Sequence, residues 1–377
     1  MPDLSIEQSQ KYDQFKAFVA DKVVDNALEW DQKQEIPDSF LETLRENNFL
    51  GGLVPKEYGG EGWDCLTYGL FNEALGRGSS SLTVIFTVQG MVTMSLLKWA
   101  SKDQLDNWMP KLSGGQIAAF ALTEPDVGSD INSISTKLSK RDGKWVLSGT
   151  KQWITFGAKA DVFLVFAKYN QHAVACMVPK GCKGVRIMPL KDMLGFKACA
   201  LANIDFDQVE IDENNIIGKP GFALSHIAPV GLHYGRISTS FSATGLIRAC
   251  IEASTQRSVK RQVNGRQVND FGMVKEMIAD MGVNYEAAMQ LCKTAAQAEE
   301  SGSHEAINHA LVAKYFASKS CVKAANDSVQ IHGASGCHEH SSPTARYYRD
   351  SKIMEIIEGS TQVHQDLLNE LWVKKYK

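Results

Sequence analysis

The stretch Phe120-Ala121-Leu122-Thr123-Glu124-Pro125-Asp126-Val127-Gly128-Ser129-Asp130 decides the fold, because the chain changes period there. From about Ser5 to Leu112 apolar residues recur at helical spacing. Phe40, Leu44 and Leu50 lead into a breaker-rich loop, Val54-Pro55-Lys56-Glu57-Tyr58-Gly59-Gly60-Glu61-Gly62, and helices resume through Leu66 to Leu97. From about Phe120 to Ile217 the period falls to two. Trp145-Val146-Leu147, Val162-Phe163-Leu164-Val165-Phe166 and Ala173-Val174-Ala175-Cys176-Met177-Val178 are short apolar runs, and residues 202–207 alternate strictly. After Gly221 the helical period returns: Val274, Met277, Ile278, Met281, Tyr285 and Ala288 follow the spacing of a buried helix face, read as core packing. Gly302 and Ser303 break this helix before another begins at about His304.

Composition narrows the function classes. The chain has 377 residues, 44% hydrophobic and 22% charged, enough to bury a sizeable core in two or three domains. A formal net charge of -3 provides no basic face for nucleic acid and no polybasic tract for an anionic membrane, so neither partner is expected. Met1 to Lys11 is polar and mixed in charge, without an apolar signal core, which predicts a cytoplasmic protein. The eight cysteines, at 65, 176, 182, 199, 250, 292, 321 and 337, show no CxxC pair and fit reduced thiols. Cys337-His338-Glu339-His340 are adjacent residues pointing in different directions, so no metal site is predicted. No G-x-G-x-x-G follows a strand and opens a helix, which disfavours a nicotinamide enzyme of the usual kind.

The opening stretch pairs with Ile357-Glu358-Gly359-Ser360-Thr361-Gln362 near the C-terminus. Together they resemble the acyl-CoA dehydrogenase family. The first is similar to its aromatic-Ala-x-Thr-Glu-Pro-x-Ala-Gly-Ser-Asp segment and the second to its Tyr-Glu-Gly-Thr segment. The resemblance covers nearly the whole chain. It agrees with an α+β fold: an N-terminal α-helical domain over residues 1–118, a middle β domain over 119–225 and a C-terminal four-helix bundle over 226–377.

The family resemblance implies FAD as cofactor. Phe120, Leu122, Thr123, Gly128 and Ser129 match the first flavin motif; Trp153, Ile154 and Thr155 match the second. A flavin accepting hydride needs hydrogen-bond donors where charge accumulates and an apolar wall against water. Arg261, Gly265 and Phe271 match an Arg-x-x-x-Gly and following Phe, with Asn264 in place of the usual Phe. Gln330, Gly333 and Ala334 resemble the Gln-x-x-Gly-Gly segment, and Ser360 and Gln362 complete the set. In the family the Arg and Gln segments reach a neighbouring subunit's FAD, so a homodimer or homotetramer is implied, with an electron-accepting flavoprotein as partner.

Glu358 is the implied catalytic base, taking the α-proton of an acyl thioester while hydride leaves the β-carbon. A proton beside a thioester carbonyl is too weakly acidic for an exposed carboxylate, so the base must be buried. Some family members place the base just before the Arg of a Leu-x-x-x-Arg segment. Here that segment is Leu232-His233-Tyr234-Gly235-Arg236, and Gly235 cannot serve. Ser129, His233, Arg236, Ile357 and Gly359 are the implied substrate contacts, although a packed or solvated His233 fits equally well.

Ile357, His233 and Ala334-Ser335-Gly336 depart from the family pattern, which predicts a short or polar acyl group, on CoA or on a carrier protein as in polyketide or nonribosomal peptide pathways. Relatives with other chemistry fit less well. A peroxisomal-type oxidase normally carries a long C-terminal extension, and a monooxygenase of the same fold lacks the glutamate.

Overall fold

The computed structural model describes residues 4–377; residues 1–3, part of the N-terminal stretch read as carrying no targeting signal, lie outside it. Six helices come first: α1 (Ile6–Lys22), α2 (Ala27–Lys33), α3 (Asp38–Glu46), α4 (Cys65–Gly78), α5 (Ser80–Trp99) and α6 (Lys102–Ser113). Ser5 with Gln8 and Ser101 with Gln104 form capping boxes that satisfy the first amides of α1 and α6. By length and composition α5 is able to cross a membrane, but 89% of its apolar window is buried inside the protein, which makes it a core helix.

The sheet domain follows, with β1 (Ala118–Ala121), β2 (Lys137–Arg141), β3 (Lys144–Ile154), β4 (Val162–Tyr169), β5 (His172–Pro179), β6 (Val185–Pro189), β7 (Ala202–Ile211) and β8 (Ile216–Ile217). Their order is β6-β7-β3-β2-β4-β5-β8, and β1 pairs in parallel with β4. β4 is apolar from Val162 to Ala167 because it is covered on both faces. The β3–β7 register slips between Lys151 and Ile154, a bulge that turns the end of β3 aside.

The third part holds α7 (Ala228–Lys260), a hairpin of β9 (Gln262–Val263) and β10 (Arg266–Gln267), then α8 (Gly272–Glu300), α9 (Ala306–His332), α10 (Thr344–Met354) and α11 (Thr361–Tyr376). α7, α8 and α9 run up, down and up. α7 and α9 are therefore parallel, joined by a Ser254–Ser328 hydroxyl bond of 2.9 Å. The face expected from Val274 to Ala288 is buried only at its C-terminal end. Met281 and Ala288 are enclosed, whereas Val274, Met277 and Ile278 are only partly buried, packed at the edge of the core. Glu73 of α4 is buried between Tyr12 (Oη to Oε2, 2.5 Å), Arg248 (Nε to Oε1, 3.1 Å) and Tyr285, so one carboxylate ties the first helical domain to α7 and α8.

Candidate active site

Two close approaches on α7 organise the site. A Cβ built on Gly231 would lie 2.5 Å from the Phe120 ring, and one built on Gly235 would lie 2.2 Å from Glu358 Oε2. Positions 231 and 235 are one turn apart on the same helix face. Hence α7 receives the start of the Phe120–Asp130 stretch in one notch and the Glu358 carboxylate in the next.

Glu358 sits between α10 and α11 in a left-handed conformation, φ 57°, followed by Gly359 at φ 95°. Positive φ at a glutamate is uncommon and marks a constrained position. The turn is held at both ends: Thr361 N–H donates to Glu355 O at 3.0 Å, and Ser360 Oγ caps α11. Glu358 Oε2 has no hydrogen-bond donor among the described residues, which leaves its lone pairs available to a proton. Burial pushes its carboxyl up to about 7, against the attraction of Arg236 and Lys314. Arg236 Nε approaches Glu358 O at 3.4 Å, and Lys314 Nζ donates to Gly359 O at 2.7 Å.

The Phe120–Asp130 stretch is shaped by an ion pair. Lys151, fully buried on β3, donates to Glu124 Oε1 at 2.7 Å and to Leu122 O at 3.0 Å. Glu124 also accepts from Ser135 N–H and Oγ and from Thr136 N–H. Burial alone would raise the Glu124 carboxyl, but these donors outweigh it and hold it at about 2. Thr123 and Gln152 exchange two bonds, Thr123 Oγ1 to Gln152 O at 2.6 Å and Gln152 N–H to Thr123 O at 2.9 Å, which fastens the loop to the end of β3. Gly128 and Ser129 lie exposed beyond it. Past the β3 bulge, Trp153 adopts φ 58° and leaves half its indole exposed, Ile154 is buried, and Thr155 begins the turn.

The remaining expected residues lie elsewhere. Arg261 follows α7 and is exposed; Asn264 and Gly265, φ 52° and 74°, form the tip of the β9–β10 hairpin; Phe271 caps α8 under the Arg266 guanidinium. Gln330, Gly333 and Ala334 are exposed at the same end, where α9 terminates. Gly333 has φ 63° and ψ -143°, a combination open essentially to glycine alone. Along α7, Arg261 is about 39 Å from Gly235 at 1.5 Å per residue. The expected cofactor residues are thus divided between two ends of one chain. Gln362 is exposed on α11 and Ile357 is half-buried beside Glu358.

The His233 ring is half satisfied: its Nε2 lies 2.8 Å from Glu299 Oε2 at the end of α8 and the ring is buried against Tyr234, while Nδ1 is buried without a hydrogen-bond partner among the described residues. The sequence reading missed Lys151 and Lys314. At Lys314 a signal existed, because Ala310, Leu311, Ala317 and Cys321 surround it at helical spacing and are buried.

Three family descriptions match in order: the acyl-CoA dehydrogenase N-terminal domain over residues 5–116, the middle domain over 119–209 and the C-terminal domain over 226–371. The glutaryl-CoA dehydrogenase of Desulfococcus multivorans is 32% identical over 99% of this chain and 98% of its own. The chain belongs to the acyl-CoA dehydrogenase family. The solved butyryl-CoA dehydrogenase of Megasphaera elsdenii superposes with a TM-score of 0.94 at 27% identity, covering 98% of this chain and 99% of the other. FkbI, solved as a protein for biosynthesis of the methoxymalonyl extender unit of a polyketide, superposes at 0.89 with 28% identity, over 95% and 99%.

The enzyme is a FAD-dependent dehydrogenase. The residues present fit that cofactor: an exposed loop held open by a buried ion pair, a half-exposed indole beside a threonine, and a buried carboxylate with an unpartnered oxygen. The bound flavin supplies the two-electron acceptor.

Proposed function

We propose that this acyl-CoA dehydrogenase oxidises a short or polar acyl thioester, with Glu358 removing the α-proton. One observation supports the substrate class: hydroxyl side chains gather on α7 in the turns after Gly235. Ser238, one turn after Gly235 on α7, donates to Thr87 Oγ1 of α5 at 2.9 Å, and Tyr68 Oη donates to Phe86 O at 2.9 Å nearby. Thr239 Oγ1 and Ser242 Oγ are buried without a partner among the described residues. An oxygenated acyl group offers a partner to such unpaired hydroxyls, whereas an alkyl chain leaves them unsatisfied. Likeness to glutaryl-CoA and butyryl-CoA dehydrogenases supports the same reading.

Within this proposal the chain's own groups divide the work. Glu358, ionised in a buried setting, takes the proton; its seat against Gly235 fixes where the carboxylate points. The Glu358 N–H makes no main-chain hydrogen bond among the described residues and supplies a donor to the thioester oxygen. Anaerobic flavin bleaching against butyryl-, glutaryl- and palmitoyl-CoA and matching carrier-protein thioesters tests the assignment. Rapid bleaching by palmitoyl-CoA, with none by the short or polar thioesters, would overturn it. Likeness to FkbI supports a second reading, an acyl group tethered to a carrier protein, and the carrier thioesters decide it.

We also propose a homo-oligomer, a cytoplasmic location and an electron-accepting flavoprotein partner. Support for the oligomer is the division of the expected cofactor residues between two ends of α7. Six of the eight free cysteines are buried, as reduced thiols of a reducing compartment would be. If Arg261 contacts a phosphate of the FAD of a second subunit, Arg261→Ala weakens FAD binding by about 10- to 100-fold, the worth of one charge-assisted hydrogen bond. Flavin occupancy measured on dilution checks this, and unchanged occupancy would remove Arg261 from the cofactor site.

A further inference from the structure

Three basic side chains from three helices, two buried and one half-buried, converge on the turn that carries the base. Arg236 comes from α7, Lys314 from α9 and His364 from α11. Lys314 and His364 are fully buried. A buried lysine is costly unless it is paired. Yet Lys314 donates to a main-chain carbonyl, Gly359 O at 2.7 Å, rather than to a carboxylate. Arg236 does the same one residue earlier, with Nε 3.4 Å from Glu358 O. These two carbonyls belong to the two consecutive residues with positive φ.

We propose that Lys314 is a positioning residue for the base: with Arg236 it clamps two successive carbonyls, those of Glu358 and Gly359, and so holds the left-handed turn that presents the Glu358 carboxylate. The proposal rests on the assignment of Glu358 as the base and adds the device that places it. Without the clamp, a glutamate at φ 57° is free to relax toward the ordinary right-handed or extended regions, and its carboxylate leaves the notch at Gly235.

His364 acts as a neutral floor under this clamp. Its ring lies against Gly359, with Cε1 3.1 Å from where a Cβ would stand, and Nδ1 lies 3.1 Å from Ser360 O. Burial and the neighbouring Lys314 charge push the imidazole down to about 4, so it adds no third positive charge at neutral pH. The groups facing Glu358 are therefore Arg236 from α7, Lys314 from α9, Tyr68 from α4 and the neutral His364 from α11, with Glu355 in the preceding turn acting on Lys314. Burial lowers the Lys314 ammonium to about 8, which leaves it charged at neutral pH.

The test compares Lys314→Met and Lys314→Arg in the FAD-loaded enzyme. Methionine keeps the buried volume without the donor or the charge; arginine keeps both. Lys314→Met is expected to slow the limiting rate of anaerobic bleaching by butyryl-CoA by about 10- to 100-fold. The thioester concentration giving half-maximal rate should change less than about threefold, as for an interaction that aims the base rather than binds substrate. Lys314→Arg restores most of the rate.

An independent readout needs no turnover. The protonated-carboxyl infrared band of Glu358, assigned by its disappearance in Glu358→Gln, should titrate about one pH unit higher in Lys314→Met, because an opposite charge has been removed. An unchanged rate and titration midpoint in Lys314→Met would refute the clamp while leaving the base intact. Normal bleaching by Glu358→Gln would instead refute the base assignment. A Lys314→Met protein that fails to fold, beside a folded Lys314→Arg with wild-type titration and a lost rate, would also count against the proposal.

Discussion

Glu358→Gln is expected to keep the fold and the bound flavin while slowing anaerobic bleaching by about 10²–10⁴-fold or more, the contribution of a positioned base. Glutamine fills the same volume and retains a group for the notch beside Gly235, so the loss reports chemistry rather than packing. The wild-type pH profile provides a second check. Burial holds the carboxyl at about 7, and proton abstraction requires the ionised form. The limiting bleaching rate should therefore rise with pH through about 7 and level above it, and Glu358→Gln should abolish that dependence. A bleaching rate close to wild type in the variant would take Glu358 out of the mechanism.

Lys151→Met is expected to destabilise the protein by about 3–5 kcal/mol, because it leaves the Glu124 carboxylate buried without its countercharge and strips the donor from Leu122 O. Adding Glu124→Gln should recover much of the loss, since the cost lies in an unpaired charge and the two side chains are in contact. Urea unfolding of the two single variants and the double variant measures the coupling; a Lys151→Met protein as stable as wild type would sink the assignment. The same pair sets an acid limit. The Glu124 carboxyl is lowered from 4.5 to about 2 by folding, so its contribution is complete above 4.5 and is lost as pH falls through 2.

Much of this was legible in the chain, for reasons that differ by element. Period alone marks the change from helix to sheet near Phe120 and back after Gly221, since each element buries one face. Glu358 was legible as the candidate base because it stands in a motif with no competing carboxylate at position 235. By contrast, the parallel pairing of β1 with β4 joins residues more than forty positions apart, and nothing local specifies it. The buried lysines were hidden by their type: Lys151 and Lys314 read as surface residues until the partner, a glutamate 27 residues earlier or a carbonyl 45 residues later, is brought to them by the fold. The packing of His233 was likewise illegible, since its partner Glu299 lies 66 residues away.

The notch at Gly235 also constrains how this enzyme can change over generations. A side chain at 235 and the carboxylate of Glu358 claim the same volume, 2.2 Å apart at the first added carbon. Two carboxylates cannot occupy it together, so the fitness of a substitution at either position depends on the residue at the other. On the proposed assignment of Glu358 as the base, a lineage that moves it from the loop before α11 to α7 must free the notch at 235 as it fills it, so the two arrangements are joined by paired rather than single substitutions.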